Sequence, residues 1–308
     1  MNNGKAVLGV DIGGTNFRMG LVNEAGELVN YKAEGSHVLV TAENHSLENL
    51  AARMEAYLAE NLDGGILKGI AIGFPSTVSK DKTMVFSTPN LNLNGFENVN
   101  IAAYIGNRMN VPVWINKDVH FLLTYDLAKL KLERKGITLG LYIGTGFGNS
   151  IYINGEFLDG KNGVAGELGH IPTLNMKLRC GCGNVGCAEV YASGAALQRL
   201  KERFFPDTYI GDVFAEHGED ERLKQFVDGL TIPIATEINI FDPDYIVIGG
   251  GIPAMKGFPK AYFEQCMKRH VRKPYPAEAL QIMYSKNRQE AGVIGAGLYA
   301  FQKLSPKG

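Results

Sequence analysis

Residues 6–22 read AVLGVDIGGTNFRMGLV, two apolar runs on either side of a glycine-rich turn at 13–15. The first run ends at Asp11, and short apolar runs bounded by glycine are typical of buried strands. The pattern returns at 137–153, ITLGLYIGTGFGNSIYI, with its glycine-rich turn at 144–148. A strand–turn–strand unit that occurs twice in one chain predicts two similar domains that face each other.

The rest of the chain alternates between apolar runs of strand length and apolar residues at helical spacing. Leu47, Leu50 and Met54 are spaced three and four residues apart, which places them on one face of a helix. The predicted elements outside the repeated unit are strands at 68–74, 111–115 and 245–251 and helices at 46–62, 119–133 and 291–297. The last helix is rich in glycine and alanine and is expected to pack closely on another element. This alternation predicts an α/β protein.

Composition and charge argue against several classes of protein. The chain has 308 residues, enough for two domains, and its 45% hydrophobic and 20% charged residues are ordinary for a globular protein. A net charge of −1 offers no basic surface for nucleic acid or an anionic membrane. No apolar run approaches the roughly 18–20 residues that span a bilayer, and the first residues lack the apolar core of a signal peptide. We therefore expect a cytoplasmic protein.

Three of the four cysteines, Cys180, Cys182 and Cys187, fall within eight residues, and His170 precedes them. A disulfide inside so short a loop would be strained, and a reducing cytoplasm would not maintain it. One imidazole and three thiolates instead satisfy a closed, tetrahedral structural Zn²⁺ site. Cys266, alone within AYFEQCMKRH, is predicted to be a thiol packed under a helix.

The glycine-rich turns suggest phosphate binding. Without a Cβ in the way, backbone N–H groups can approach phosphate oxygens, and the hydroxyls of Thr15 and Thr145 can add hydrogen bonds. Asp11 could hold Mg²⁺ through water, since Mg²⁺ favours one or two carboxylates and keeps several waters. The alternative is that both turns merely close tight hairpins. Neither turn is a P-loop, because the GxxxxGK[ST] pattern is absent.

Five motifs in order resemble the ROK family (repressors, open reading frames and kinases): DIGGTN at 11–16, GTGFG at 144–148, AGELGH at 165–170, CGCGNVGCAE at 180–189 and DPDYIVIGGG at 242–251. The first is similar to the first phosphate motif of actin-like proteins, sugar kinases and heat-shock ATPases. The resemblance implies an actin-like (ribonuclease H-like) two-domain ATPase fold with a cleft between the domains. It also implies ATP and Mg²⁺ as cofactors, structural Zn²⁺ and a homodimer.

The resemblance also implies where the domains divide. The C-terminal helix of the family returns to the first domain. The smaller N-terminal domain would therefore comprise residues 1–118 and about 291–308. The larger domain, 119–290, would carry the zinc loop and the adenosine site.

Several residues receive roles from this resemblance. Asp118 matches the general base, although an Asp at a strand end is also a common helix cap. The residues that match the family's sugar contacts are Asn90, Lys117, Glu167, His170 and Glu189. Alternatively, they are ordinary polar residues of the surface or of the zinc loop. His170 would meet the sugar with one nitrogen and Zn²⁺ with the other.

The nucleotide site follows from the same motifs. The residues expected at the phosphates and Mg²⁺ are Asp11, Gly13, Gly14, Thr15, Asn16, Thr145, Gly146 and Gly148. The residues expected at the adenosine are Gly249, Gly250 and Gly251, whose alternative role is a simple strand-to-loop turn.

Lys117 departs from the family pattern, because most ROK kinases have Asn at this position and a Lys ammonium can only donate hydrogen bonds. The D-allose kinase branch also has a basic residue there and is similar to this chain at 73–75, 78–81 and 87–91. We therefore expect an ATP-dependent kinase for the 6-hydroxyl of a hexose, preferably D-allose. The alternatives are glucose, fructose or N-acetylmannosamine as substrate.

Two functions without catalysis are weaker alternatives. The family's sugar-responsive repressors carry an N-terminal helix-turn-helix of several dozen residues, whereas only a few residues precede the first predicted strand here. A zinc-dependent nucleic-acid module would need a basic stripe, which this nearly neutral chain lacks.

Overall fold

The computed structural model describes residues 4–40, 45–87, 95–286 and 288–305. The chain forms two compact units. Unit 1 comprises Met1–Leu132, Asp159–Ala165 and Arg288–Gly308, and unit 2 comprises Glu133–Leu158 and Gly166–Asn287. The domain limits expected from the family stay a prediction; the compact units group residues 119–132 with unit 1.

The strands are β1 (Lys5–Ile12), β2 (Asn16–Val22), β3 (Leu28–Gly35), β4 (Ile66–Phe74), β5 (Thr77–Val78), β6 (Val85–Ser87), β7 (Val113–Lys117), β8 (Ile137–Ile143), β9 (Phe147–Ile153), β10 (Glu156–Phe157), β11 (Tyr245–Gly249) and β12 (Ile282–Tyr284). The α-helices are α1 (Ser46–Asn61), α2 (Ile101–Met109), α3 (Asp118–Lys129), α4 (Gly194–Phe204), α5 (Val213–His217), α6 (Glu221–Phe241), α7 (Lys260–His270) and α8 (Ala291–Leu304). Among the described helices, none combines the length and the apolarity that a bilayer span requires.

Unit 1 is built on a five-stranded sheet with the order β3-β2-β1-β4-β7. Strand β1 pairs antiparallel with β2 and parallel with β4, and β4 pairs parallel with β7. Side chains of β1 alternate between the faces: Leu8 and Val10 join the core that holds α1 and α2, whereas Gly9 faces Val293 of α8. Helices therefore cover both faces of this sheet.

Helix α8 packs so closely on the sheet and on α3 that its backbone approaches theirs without side chains in between. A Cβ atom at Gly295 would lie 1.9 Å from the carbonyl oxygen of Phe121, and one at Gly9 would lie 2.2 Å from that of Val293. Only glycine fits these two positions without a shift of the backbone. The predicted close packing of the C-terminal helix is confirmed.

Unit 2 repeats this sheet with the order β10-β9-β8-β11-β12. Strand β8 pairs antiparallel with β9 and parallel with β11, as β1 does with β2 and β4. Its core joins Leu139 and Leu141 of β8 to Ile234 of α6 and Phe263 of α7. The predicted repetition of the strand–turn–strand unit is confirmed, and so is the prediction for Cys266, which is buried on α7.

Several predicted elements differ in their ends: the helix predicted at 291–297 continues to Leu304, and the strand predicted at 245–251 ends at Gly249. Strand β7 runs two residues past the predicted end at 115, and α3 ends at Lys129 rather than at 133. Lys131 has a positive φ of 55°, a left-handed conformation that stops the helix even though helix-forming residues continue.

Candidate active site

The hairpin between β1 and β2 has a fixed backbone and an exposed tip. The N–H of Gly13 donates to the carbonyl of Asn16 at 2.8 Å, and the N–H of Ser36 donates to the carbonyl of Thr15 at 2.9 Å. The Ser36 hydroxyl donates to the carbonyl of Gly13 at 2.5 Å. Gly14, Thr15 and Asn16 are exposed. The tip is therefore rigid and open, as a backbone site for an anion must be.

Asp11 lies at the base of this hairpin and is almost fully buried. Arg18, directly opposite on β2, places its Nη1 atom 3.1 Å from Oδ2 of Asp11. On the other side lies the first turn of α8, where a Cβ at Gly292 would come within 2.6 Å of the Asp11 carboxyl carbon. Burial raises the pKa of Asp11, and the Arg18 charge opposes that rise. One carboxylate beside an open glycine turn is a donor set that fits Mg²⁺ held through water.

The second hairpin, between β8 and β9, is fastened to the start of α4. The N–H groups of Gly194 and Ala195 donate to the carbonyls of Gly144 and Thr145 at 2.7 and 3.1 Å. Within the turn, the N–H of Gly144 donates to the carbonyl of Gly146 at 3.1 Å. The Thr145 side chain is exposed. This tip, like the first, combines a fixed backbone with open access.

Glu189 connects the same hairpin to the cysteine loop. Its Oε2 accepts a hydrogen bond from the N–H of Phe147 at 2.9 Å. A Cβ at Gly146 would lie only 2.4 Å from that oxygen, so glycine leaves the space which the carboxylate occupies. Glu189 follows Cys187 by two residues, in a short 3₁₀ helix. A displacement of the cysteine loop would therefore disturb the hairpin.

His170, Cys180, Cys182 and Cys187 bring their ligand atoms together as the spacing predicted, all within 4.8 Å of one another. Nδ1 of His170 lies 3.5 Å from Sγ of Cys180, and the sulfurs of Cys182 and Cys187 are 3.7 Å apart. Zn–S bonds of about 2.3 Å and Zn–N bonds of about 2.0 Å in a tetrahedron give a separation of about 3.5 Å between nitrogen and sulfur and of about 3.8 Å between two sulfurs. The donor set and its geometry fit zinc.

The second nitrogen of His170 faces away from the cysteines. Its Nε2 lies 3.9 Å from Oε2 of Glu167, and both side chains are partly exposed. Glu167 precedes a 3₁₀ helix, Leu168–His170, whose turn brings the side chains of Glu167 and His170 near each other. The imidazole can therefore bind a metal with one nitrogen and a polar ligand with the other.

Asp118 is the first residue of α3, and its Oδ1 accepts a hydrogen bond from the N–H of Val119 at 2.8 Å. The N-cap residue of α3 is Lys117, which makes no side-chain capping hydrogen bond, so Asp118 is not the helix cap considered as its alternative role, and its carboxylate remains partly exposed. The neighbouring Lys117 is only 4% exposed, and its Nζ donates to the carbonyl of Ala165 at 2.6 Å. The structure therefore gives this ammonium a protein partner.

Comparison with known proteins bears on this arrangement of hairpins and metal ligands. A model of the ROK family matches residues 7–303, which is nearly the whole chain. The chain belongs to the ROK family. Among curated relatives, the N-acetyl-D-glucosamine kinase of Pectobacterium carotovorum subsp. carotovorum (strain PC1) is 27% identical over 260 residues, 79% of this chain and 83% of the relative.

Solved structures of ROK proteins share the fold. A ROK family glucokinase from Streptomyces griseus, in complex with glucose and AMPPNP, matches with a TM-score of 0.78 and 24% identity, over 96% of this chain and 99% of its own. A ROK family transcriptional regulator, a homologue of the E. coli MLC protein, matches with a TM-score of 0.82 and 24% identity, over 96% of this chain and 77% of its own. The predicted actin-like α/β fold is confirmed.

The glycines expected at the adenosine have structural reasons in this ROK protein. Gly250 has a φ of +95°, and a Cβ there would lie 2.4 Å from the carbonyl oxygen of Ile143. A Cβ at Gly249 would meet the ring of Tyr142 at 2.7 Å. Gly251 is exposed, with nothing within 4 Å of its Cβ position. The turn geometry accounts for Gly249 and Gly250, and an adenosine role for the three stays a prediction.

Two further residues of this ROK protein take part in the candidate site without having been predicted. Arg18 pairs with Asp11, and Gly292 lets α8 approach it. The antiparallel pairing of β1 with β2 places Arg18 directly opposite Asp11, and this cross-strand position was the sequence signal that could have identified Arg18. Asn90, a predicted sugar ligand, lies outside the described residues.

Proposed function

We propose that this ROK protein is an ATP-dependent sugar kinase that transfers the γ-phosphoryl group of MgATP to the 6-hydroxyl of a hexose. The observation that carries the proposal is the pair of rigid hairpins with exposed, glycine-rich tips, one on each of two sheets of the same strand order. The kinase names of the relatives support it. The N-acetylglucosamine kinase and the glucokinase both act on hexoses by name.

In this proposal the chain's residues position the two substrates and neutralise the charge of the phosphoryl group, because phosphoryl transfer leaves little covalent chemistry to the protein. Amides of the hairpin tips would donate to phosphate oxygens, and Asp11 would hold Mg²⁺ through water, where the ion would neutralise phosphate charge. Asp118 accepts the proton of the sugar hydroxyl as the new O–P bond forms and the bond from the γ-phosphorus to the bridging oxygen of ADP breaks. Arg18 opposes the effect of burial on Asp11 and favours its ionised form, which binds a cation.

The metal ligands serve the sugar site in this proposal. His170 and the three cysteines would occupy all four coordination positions of the zinc ion, which would make it structural rather than catalytic. The loop would present Glu167 and the free side of His170 to sugar hydroxyls. Glu189, already bonded to the N–H of Phe147, would couple the same loop to the nucleotide hairpin.

The choice of hexose rests on the unusual Lys117. We propose D-allose as the first candidate, because the allose kinase branch also has a basic residue at this position, and glucose, N-acetylglucosamine, N-acetylmannosamine and fructose as alternatives. Allose and glucose differ only at the 3-hydroxyl, and a site that hydrogen-bonds one arrangement can reject the other strongly. The homodimer remains a prediction. A sugar-responsive regulator is the second candidate function, favoured by the structural match to the ROK regulator.

A coupled ADP-release assay over these five hexoses tests the proposal. We expect sugar-dependent ADP release, fastest with allose, and a fall of at least about a hundredfold in kcat for Asp118→Asn with ATP binding retained. Asp207→Asn, a change at an exposed carboxylate of unit 2, is the control and should keep the wild-type rate. Faster turnover on glucose than on allose would overturn the allose assignment alone. No sugar-dependent turnover on any hexose would overturn the kinase.

A further inference from the structure

The segment 159–165, DGKNGVA, is held to unit 1 although the residues on both sides of it belong to unit 2. We call it the strap. Its own ends meet, because the N–H of Ala165 donates to the carbonyl of Asp159 at 3.1 Å. The strap leads directly into Gly166 and Glu167, the start of the segment that carries the proposed sugar ligands.

A lysine on unit 1 holds the first residue of the strap. Nζ of Lys82 forms an ion pair with Oδ1 of Asp159, and both side chains are largely buried. Burial lowers the pKa of Lys82, the Asp159 carboxylate opposes this, and the charge of Lys117 lowers it further. The charges of Lys82 and Lys117 therefore repel each other, and the Asp159 carboxylate that pairs with Lys82 opposes the effect of this repulsion on Lys82.

Lys117 holds the last residue of the strap. Its Nζ donates to the carbonyl of Ala165 at 2.6 Å, a charge-assisted hydrogen bond from a residue only 4% exposed. That carbonyl belongs to the peptide group that joins Ala165 to Gly166. Any movement of this peptide group changes where the chain enters the segment of Glu167.

The middle of the strap is pressed against the turn after β5. Gly163 has a φ of +81°, and a Cβ there would lie 2.1 Å from the carbonyl oxygen of Val78 and 3.0 Å from the N–H nitrogen of Lys80. The strap is thus fixed at its start, middle and end, and the Lys117 ammonium provides the end nearest the proposed sugar ligands.

We propose that Lys117 is a positioning residue that determines sugar specificity through the strap, by fixing the Ala165–Gly166 peptide, and does not itself bind the sugar. The inference rests on the proposed kinase function. An Asn at position 117 is too short to reach the Ala165 carbonyl as Lys does. A Lys here therefore couples the end of β7, directly before Asp118, to the segment that begins at Glu167, which an Asn could not.

The test combines kinetics with hydrogen exchange on Lys117→Met, which keeps the apolar stem and removes the ammonium. Lys117→Arg is the conservative rescue, and Lys161→Met, which removes an exposed lysine of the strap, is the control. For Lys117→Met we expect faster amide exchange in peptides covering 159–167, without added sugar, and a rise of about tenfold in the KM for the preferred hexose. The KM for ATP should change less than about twofold. Arg should restore both properties, and the control should match the wild type.

Three results would overturn the inference. A raised sugar KM without a change in exchange at 159–167 would mean that Lys117 contacts the sugar directly. Faster exchange with an unchanged sugar KM would mean that the strap does not govern the sugar site. No change in either would remove Lys117 from specificity. Failure of the kinase proposal is distinguished by the wild type, which would then turn over no hexose while the exchange measurement still reports on the strap.

Discussion

Replacing Glu237 with glutamine is expected to stabilise the protein near neutral pH and to have little effect at pH 5. Glu237 lies on α6 inside unit 2 with only 3% of its surface exposed. It accepts a hydrogen bond from Nδ2 of Asn149 on β9 at 2.9 Å. Burial raises the pKa of Glu237 to about 8, and the Asn149 hydrogen bond opposes that rise only in part. A glutamine can accept the same bond and has no proton to lose.

The size of the effect follows from the two pKa values. In the unfolded chain the carboxyl releases its proton near the ordinary value of 4.5, whereas in the folded protein it keeps the proton up to about 8. Between these two pKa values the carboxyl is ionised in the unfolded chain but protonated in the folded protein. Ionisation therefore stabilises the unfolded state, and the free energy of unfolding falls by about 1.4 kcal/mol per pH unit. The loss is largely absent below pH 4.5, about 3 kcal/mol at pH 7 and complete above pH 8.

Urea unfolding followed by circular dichroism at pH 5, 6, 7 and 8 measures this difference, and hydrogen exchange of peptides from α6 and β9 assigns it to unit 2. Glu237→Gln should exceed the wild type by about 3 kcal/mol at pH 7 and by less than about 1 kcal/mol at pH 5. Glu221→Gln, at an exposed carboxylate of the same helix, is the control and should show no such trend. A Glu237→Gln difference that is the same at pH 5 and pH 7 would refute the reasoning.

Three further predictions follow from the packing and the metal cluster. Gly295→Ala should destabilise unit 1 by about 3 kcal/mol or more, measured by urea unfolding, because its Cβ would overlap the Phe121 carbonyl; a change below about 1 kcal/mol would contradict the packing. Cys187→Ser or removal of metal by a chelator should lower the melting temperature by about 10 °C or more, and metal analysis of the untreated protein should find one zinc per chain. Glu189→Ala should raise the KM for ATP as well as for sugar, since it removes the acceptor of the Phe147 N–H; a change in the sugar KM alone would argue against this coupling.

The parts of the fold that were predictable are those in which local pattern and tertiary role agree. Apolar runs around glycine turns predict the two hairpins, and the spacing of His170 and the cysteines predicts the metal ligands. Strand β3 was not predicted because its side chains are mostly exposed or half-buried at the sheet edge, so LVNYKAEG has no apolar run. Helix α6 was not predicted either: it contains Pro233, which usually ends a helix.

The contacts that define the candidate site were harder to predict, because they join residues far apart in sequence. Glu189 was expected to bind sugar, and nothing in its sequence neighbourhood indicates the hydrogen bond from Phe147, 42 residues away. Lys117 was expected at the substrate. Its hydrogen bond to Ala165, 48 residues later in the sequence, depends on how the folded chain brings the strap beside it. Family motifs identify such residues as functional, and only the folded chain shows what they touch.

The most direct test of the central claim is transfer of label from [γ-³²P]ATP to the hexose, separated from inorganic phosphate, with the position of the new ester read by NMR. The account predicts one labelled hexose 6-phosphate for each ADP formed, and loss of the labelled sugar in Asp118→Asn. Label that appears only as inorganic phosphate, or sugar binding without any transfer, would contradict it.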